Sequence, residues 1–147
     1  MRIWWGQYEL ATRFHAAVVE MKPVGEPKFA KLNPKRTVTT KSGLMYEELR
    51  SGIGRMPKPL DTVVVRYAGW REDGKRFDST FLRKQPFTFR VTGGVIAGWC
   101  EGIQKMKPGA VFRFRMPPDF AYGKRGARHL IQPNATIEFW IELLSIK

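Results

Sequence analysis

The residues of this chain best suited to a chemical task are aromatic rather than ionisable. Only two histidines occur, His15 and His129, and neither is spaced with a cysteine or carboxylate as metal ligands are. No Gly-rich phosphate loop ending in Lys-Ser/Thr is present, nor a Gly-x-Ser-x-Gly elbow, and Gly93-Gly94 is a turn rather than a dinucleotide fingerprint. The single cysteine, Cys100, has no histidine near it in sequence and reads as a small core hydrophobe. What remains is a concentration of rings in short loops and at strand ends: Tyr67, Phe77, Phe87, Phe89, Trp99, Phe120, Tyr122 and Phe139. Side chains of this kind exclude water and grip a flat apolar group. They supply few donors, here a phenol and the backbone N–H of Ile96 at the start of a helix, which has no intrahelical acceptor.

The element that must place the largest ring is the stretch Val95-Ile96-Ala97-Gly98-Trp99. Gly93 and Gly94 allow a sharp turn before it. Apolar residues then recur at Ile96, Trp99, Cys100, Ile103 and Met106, the spacing of one helical face. Lys107-Pro108-Gly109 is expected to stop this helix, with Lys105 and Lys107 near the negative end of its dipole. Around it the chain reads as short strands. Leu44 to Arg50 is one; Asp61 to Tyr67 is clearer, with Val63, Val65 and Tyr67 on one face. Asp73-Gly74 is a hairpin turn. Phe87, Phe89 and Val91 share a face. Phe112, Phe114 and Met116 alternate with Arg113 and Arg115, predicting one buried and one solvated side. Ile137, Phe139, Ile141 and Leu143 line the last strand. The expected class is α+β: antiparallel strands covered on one side by one short helix.

Two parts are expected within the 147 residues, an extension over 1–36 and a domain over 37–147. In the extension, Trp4, Trp5, Tyr8, Phe14 and Val18 lie on spacings of three and four, predicting a helix over about 7–21. That helix is expected to pack on the domain's own surface or to insert into a partner, disorder being the remaining alternative. Residues 22–36, with three prolines and five Lys/Arg, have the composition of an extended, solvated linker or a phosphate-binding tether. The net charge is +13, and its excess is spread over the chain: seven of 26 Lys/Arg and three of 13 Asp/Glu fall in 1–36. Such a field favours anionic partners, RNA among them. There is no apolar run long enough for a membrane span and no pattern of a signal peptide, and one cysteine asks for no oxidising compartment. An intracellular, reducing compartment is therefore expected.

From about Gly43 to Lys147 the chain resembles the FKBP-type peptidyl-prolyl cis-trans isomerases, especially the macrophage-infectivity-potentiator-like members. The blocks that carry the resemblance are Ser42-Gly43-Leu44, Val63-Val64-Val65-Arg66-Tyr67-Ala68-Gly69 and Asp73-Gly74-Lys75-Arg76-Phe77-Asp78-Ser79-Thr80. Pro86-Phe87-Thr88-Phe89, Val95-Ile96-Ala97-Gly98-Trp99, Pro118-Asp119-Phe120-Ala121-Tyr122-Gly123 and Pro133-Asn134-Ala135-Thr136 follow in order, then Phe139 to Leu144. The resemblance implies a twisted antiparallel sheet wrapped around one short helix. It also implies a pocket lined by Tyr67, Phe77, Asp78, Phe87, Val95, Ile96, Trp99, Tyr122, Ile131 and Phe139, with Phe89 and Leu130 close by. Proline-containing polypeptides would be the substrates and FK506-type macrolides would bind, without cofactor or metal. Asp78 has two readings that can hold together, capping the hairpin turn and anchoring Tyr67 or a polar group of a ligand. The chain departs from the usual pattern at Ala127 and Gln132, and Lys124, Arg125 and Arg128 make the loop around them basic. The rival reading keeps the fold but makes the protein a structural subunit of a large assembly, including a ribonucleoprotein, or a general chaperone.

Overall fold

Valine-rich and aromatic runs punctuated by Gly and Pro build a sheet, and its centre is where the longest runs lie. The computed structural model describes residues 24–147. In chain order the elements are β1 (Val38–Thr39), β2 (Met45–Arg50), β3 (Thr62–Arg71), β4 (Arg76–Ser79), α1 (Thr80–Arg83), β5 (Phe87–Arg90), α2 (Ala97–Ile103), β6 (Val111–Met116) and β7 (Ile137–Ile146). The strands form one seven-stranded antiparallel sheet in the order β1-β2-β6-β7-β3-β4, with β5 also paired to β3. The expected helix over about 7–21 lies outside the described residues.

β3 and β7 are the longest strands at ten residues each, and they pair along their full length. Both are buried on both faces, so β3 runs past Tyr67 to Arg71. One face of the sheet receives α2. Trp99 and Ile103 from the helix pack there with Val63, Val65, Phe112, Phe114, Phe139 and Ile141 in a continuous apolar core. Gly98 and Gly102 allow this contact, since a methyl group on either would lie 2.4 Å from the Met116 sulfur or 2.6 Å from the Phe114 ring.

The helix is shorter than its apolar spacing predicts. It ends at Ile103, and the Gln104 amide donates to the Cys100 carbonyl at 2.9 Å, closing the last turn with a side chain. Met106 is still fully buried, carried inward by a following turn in which Lys105 N–H donates to Gly102 and Met106 N–H to Ile103. Lys105 and Lys107 are exposed beyond the helix end.

The other face of the sheet is not left to water. Residues 24–33 run without helix or strand and 34–36 make a turn, Arg36 N–H donating to the Asn33 carbonyl at 2.9 Å, but the segment lies against the sheet instead of forming a solvated linker. Phe29 meets Trp70 edge-on at 6.0 Å, and Val24 packs with it on Ala68, Trp70, Val111 and Trp140. The Arg113 guanidinium donates to the carbonyls of Lys28 at 3.0 Å and Ala30 at 3.4 Å, and Arg76 pairs with Glu26. Arg113 and Arg115 are accordingly half-buried rather than solvated. A run of polar residues can cover a sheet when each arginine stem supplies apolar surface and each head finds a carbonyl or carboxylate.

Where β3 loses one edge partner and gains the next, a side chain completes the ladder. Its outer edge pairs with β5 from Thr62 to Val65 and with β4 from Ala68 to Trp70. Between them, the Thr80 hydroxyl accepts from Tyr67 N–H at 3.0 Å and donates to the Tyr67 carbonyl at 3.2 Å. Thr80→Val keeps the shape and leaves both backbone groups buried without partners. The expected loss is about 2–3 kcal/mol, at about 1–3 kcal/mol per unsatisfied group. Urea unfolding of the two proteins measures it; a loss under about 1 kcal/mol would show that the hydroxyl is dispensable there.

Candidate active site

A cavity of about 250 Å³, open to solvent, lies between α2 and the sheet. Tyr67, Phe77, Asp78, Phe87, Val95, Ile96, Trp99, Tyr122 and Phe139 line it, together with Gly94. Nine of the ten residues inferred from sequence are thus brought together from six segments of chain. Ile131 is not at the cavity wall. It is 2% exposed and packs in the main core, where its backbone pairs with Ala127 and closes the short loop of residues 128–130 that precedes it. Phe89 is buried directly behind the site, whereas Leu130 is 54% exposed on the loop. His129 is exposed on the same loop.

Trp99 is the floor. Its ring lies 4.7 Å from Tyr67 and 5.3 Å from Phe139, both nearly perpendicular to it, and 6.0 Å from Phe87. Edge-to-face contacts of this kind place the positive ring edges of the neighbours against a negative face and hold the rings rigid. The indole is 5% exposed, and its N–H has no acceptor among the described residues. Phe77 and Phe139 meet edge-on at 5.7 Å over Gly69, where an added methyl group would strike Phe139 at 2.6 Å and Phe77 at 2.9 Å. A side chain at position 69 would push both rings into the cavity.

The rim holds one polar network. Tyr67 Oη donates to Asp78 Oδ2 at 2.5 Å and accepts from Arg83 Nη2 at 2.5 Å, and Arg83 also pairs with Asp78 Oδ1 at 3.3 Å. Asp78 therefore anchors Tyr67, and the hairpin turn is capped instead by Asp73, which accepts from Lys75 N–H at 3.0 Å. Arg83 was not legible as a site residue. It lies five residues beyond Asp78 in a stretch with no motif of its own, and only the turn of α1 swings it back over the Tyr67 ring.

Burial, reinforced by the bond to Asp78, pushes the Tyr67 phenol up to about 12. Its ordinary value is about 10. The folded protein therefore holds this proton more tightly than the unfolded chain does. The resulting stabilisation, about 2–3 kcal/mol, is complete below pH ~10 and is lost as pH rises to about 12. The difference in unfolding free energy between the wild type and Tyr67→Phe is expected to shrink over that interval. A difference flat across it would mean that Asp78 and burial do not act on the phenol. Burial also raises Tyr122, with the nearby Asp78 charge adding to it, so Tyr122 too is a neutral phenol at neutral pH.

Two donors at the cavity are uncommitted. Ile96 is the N-cap of α2, and its carbonyl already accepts from Trp99 and Cys100 N–H, while its own N–H has no acceptor among the described residues. The Tyr122 hydroxyl likewise has no partner among them. Gly94, with φ of +88°, turns the chain before Val95, and Ile96 meets the wall in extended conformation. No cluster of three or more His, Cys, Asp or Glu capable of holding a metal ion occurs among the described residues.

An aromatic box with two free donors and a short helix under a wrapped sheet is a specific arrangement, and comparison with known proteins assigns it. The sequence pattern of the FKBP-type peptidyl-prolyl cis-trans isomerases matches residues 54–144. The chain belongs to this family. It is 45% identical over 120 residues to the FKBP-type peptidyl-prolyl cis-trans isomerase FkpA of Escherichia coli K12, covering 82% of this chain and 43% of that protein. It is 44% identical over 106 residues to FK506-binding protein 1 of Dictyostelium discoideum, covering 71% of this chain and 99% of that protein. Among solved structures, E. coli FkpA superposes with a TM-score of 0.73 at 44% identity, over 77% of this chain and 52% of that one. A peptidyl-prolyl cis-trans isomerase from Pseudomonas syringae superposes with a TM-score of 0.71 at 34% identity, over 95% and 93%. The chain thus spans less than half the length of the FkpA relative, and the family match lies wholly within the wrapped sheet and its helix.

Proposed function

We propose that this protein accelerates cis–trans isomerisation of Xaa-Pro bonds in polypeptides, and that the aromatic cavity is where it does so. The observation that carries this reading is an open, ring-walled cavity floored by Trp99 with two unspent donors at its edge. Rotation about a peptide bond meets a barrier of about 18–20 kcal/mol because the planar form is stabilised by resonance. Water adds to that barrier by solvating the polar planar amide better than the twisted one. Seating the proline ring on Trp99 among Phe87, Phe139 and Tyr67 removes that water. The twisted amide is then less disfavoured.

The two donors act on carbonyls flanking the bond. Ile96 N–H and Tyr122 O–H each contribute about 1 kcal/mol if their bonds strengthen as the amide twists. Since ~1.4 kcal/mol is tenfold in rate, two hydrogen bonds alone make a modest catalyst. Desolvation and shape supply the larger share. No bond is broken, so no nucleophile or general acid is needed. The Asp78–Tyr67–Arg83 network holds one wall in place and does not touch the rotating bond.

The reading is tested with a tetrapeptide containing one Xaa-Pro bond, by exchange NMR, with and without an FK506-type macrolide. Acceleration that the macrolide abolishes is expected; an unchanged spontaneous rate at micromolar protein would end the proposal. The loop bearing Lys124, Arg125 and Arg128 borders Tyr122, and all three are exposed. We expect peptides with an acidic residue beside proline to be turned over about threefold to tenfold faster than basic ones at low salt, consistent with roughly 1 kcal/mol from exposed charges. Equal rates would show that the loop does not read charge. The basic surface also supports a subordinate reading, docking on an anionic or RNA-containing assembly. Binding that falls steeply with added salt is its test.

A further inference from the structure

A second cavity, of about 300 Å³, lies beyond the aromatic one at the tip of the β3–β4 hairpin. Arg71, Glu72 and Asp73 form one side, and Gln132, Asn134 and Thr136 lie among the residues of the other. None of the residues lining it lines the aromatic cavity. The ladder sets the distance between the two. Gly69 pairs with Phe139 and Asp78 at the aromatic site, and Arg71, two residues on, pairs with Ile137 beside Thr136. From Phe139 to Thr136 is three strand residues, about 10 Å. The two walls are also joined, because Asn134 N–H donates at 2.8 Å to the carbonyl of Gly123, the residue after Tyr122. An extended polypeptide with its proline on Trp99 therefore reaches this groove about three to four residues away.

The groove differs in chemistry from everything around it. Asp73 is committed, one oxygen to Lys75 N–H at 3.0 Å and the other to Arg71 at 2.5 Å, so that pair is locally neutral. Glu72 is also ion-paired, its Oε2 accepting from Arg115 at 3.2 Å from outside the groove, but its second oxygen has no partner among the described residues and the side chain is half exposed. A half-exposed carboxylate thus edges this groove on a chain of net charge +13.

We propose that this groove is a second subsite for the polypeptide substrate. It takes the residue three to four positions from proline and favours lysine or arginine there over glutamate or aspartate. The inference rests on the proposed isomerase reading and deepens it: the preferred segment carries an acidic residue beside proline and a basic one three to four positions away. The test uses peptides that share one Xaa-Pro core, a blocked tetrapeptide as the internal reference and versions extended by four residues on either side. Each extension carries Lys or Glu at the third and fourth positions from proline. At low salt, on one of the two sides, the Lys extension is expected to exceed the Glu extension about fivefold in kcat/KM relative to the tetrapeptide, and Glu72→Lys is expected to invert that order. Amide shifts over residues 71–73 and 132–136 should move with the Lys-extended peptide and stay still with the tetrapeptide. Equal rates for Lys and Glu extensions on both sides, or a preference that survives Glu72→Lys, would overturn the subsite. Failure to turn over even the tetrapeptide would instead strike the isomerase reading, and the amide shifts would then decide the subsite alone.

Discussion

Trp99→Leu is expected to lower kcat/KM for an Xaa-Pro tetrapeptide by about tenfold to a hundredfold, equivalent to about 1.4–2.8 kcal/mol of barrier. Leucine leaves the site apolar but removes the flat surface on which a five-membered ring can lie, and it opens a gap beneath Tyr67, Phe87 and Phe139, all now in contact with the indole. Water that enters that gap solvates the planar amide again. Trp99→Phe separates the causes. The indole N–H has no acceptor to forfeit among the described residues, so phenylalanine keeps a flat apolar floor at the cost of size alone and should retain more activity than leucine. Tyr122→Phe removes one donor and should cost about threefold to tenfold, near 1 kcal/mol. Urea unfolding of each variant guards against reading lost fold as lost activity. Folded Trp99→Leu and Tyr122→Phe proteins with wild-type rates would remove the desolvation mechanism.

Glu142→Ala is expected to destabilise the fold by about 3–5 kcal/mol, a large fraction of the ordinary stability of a domain this size. The Glu142 carboxylate is fully buried on the face of the sheet opposite α2. Arg66 Nε donates to one oxygen at 2.9 Å and Arg50 Nη2 to the other at 3.0 Å, while Arg50 Nε also reaches the Gly109 carbonyl at 2.9 Å. Arg66 is itself nearly buried and lies over the Phe81 ring at 4.5 Å. Removing the carboxylate leaves two guanidinium groups facing each other with one of them cut off from water. The pair need not be stabilising relative to an apolar substitute: Arg66→Met with Glu142→Leu should cost far less than the sum of the single changes. Denaturant unfolding of the cycle measures this, and a Glu142→Ala protein within about 1 kcal/mol of wild type would show that the charge is solvated after all.

The extent of what was legible follows from how local each signal is. Strand alternation in Phe112, Phe114 and Met116, and the turn at Asp73-Gly74, are properties of neighbouring residues, and the sheet follows from them. The aromatic site was legible because its blocks occur in a family order, so that nine of ten lining residues could be named before their meeting was seen. The family order also implies Ile131 at the wall, but Ile131 and its neighbour Leu130 fall on opposite sides of one turn. Ile131 is drawn into the core by its pairing with Ala127, and Leu130 is left in water.

Sequence alone determined the class, the helix under the sheet and the kind of site, because hydrophobic spacing and ring content are written residue by residue. Only the tertiary structure decided that Asp78 serves Tyr67 and Arg83 rather than the turn, since those partners are 11 and 5 residues away and meet only through a strand pair and a short helix. It also decided that residues 24–36 lie against the sheet. Their composition reads as solvated because charge and proline dominate it. Yet Phe29 finds Trp70, and Arg113 from a distant strand meets the Lys28 and Ala30 carbonyls, once seven strands have been brought side by side. Long-range pairing creates surfaces that no window of sequence contains, and those surfaces choose what covers them.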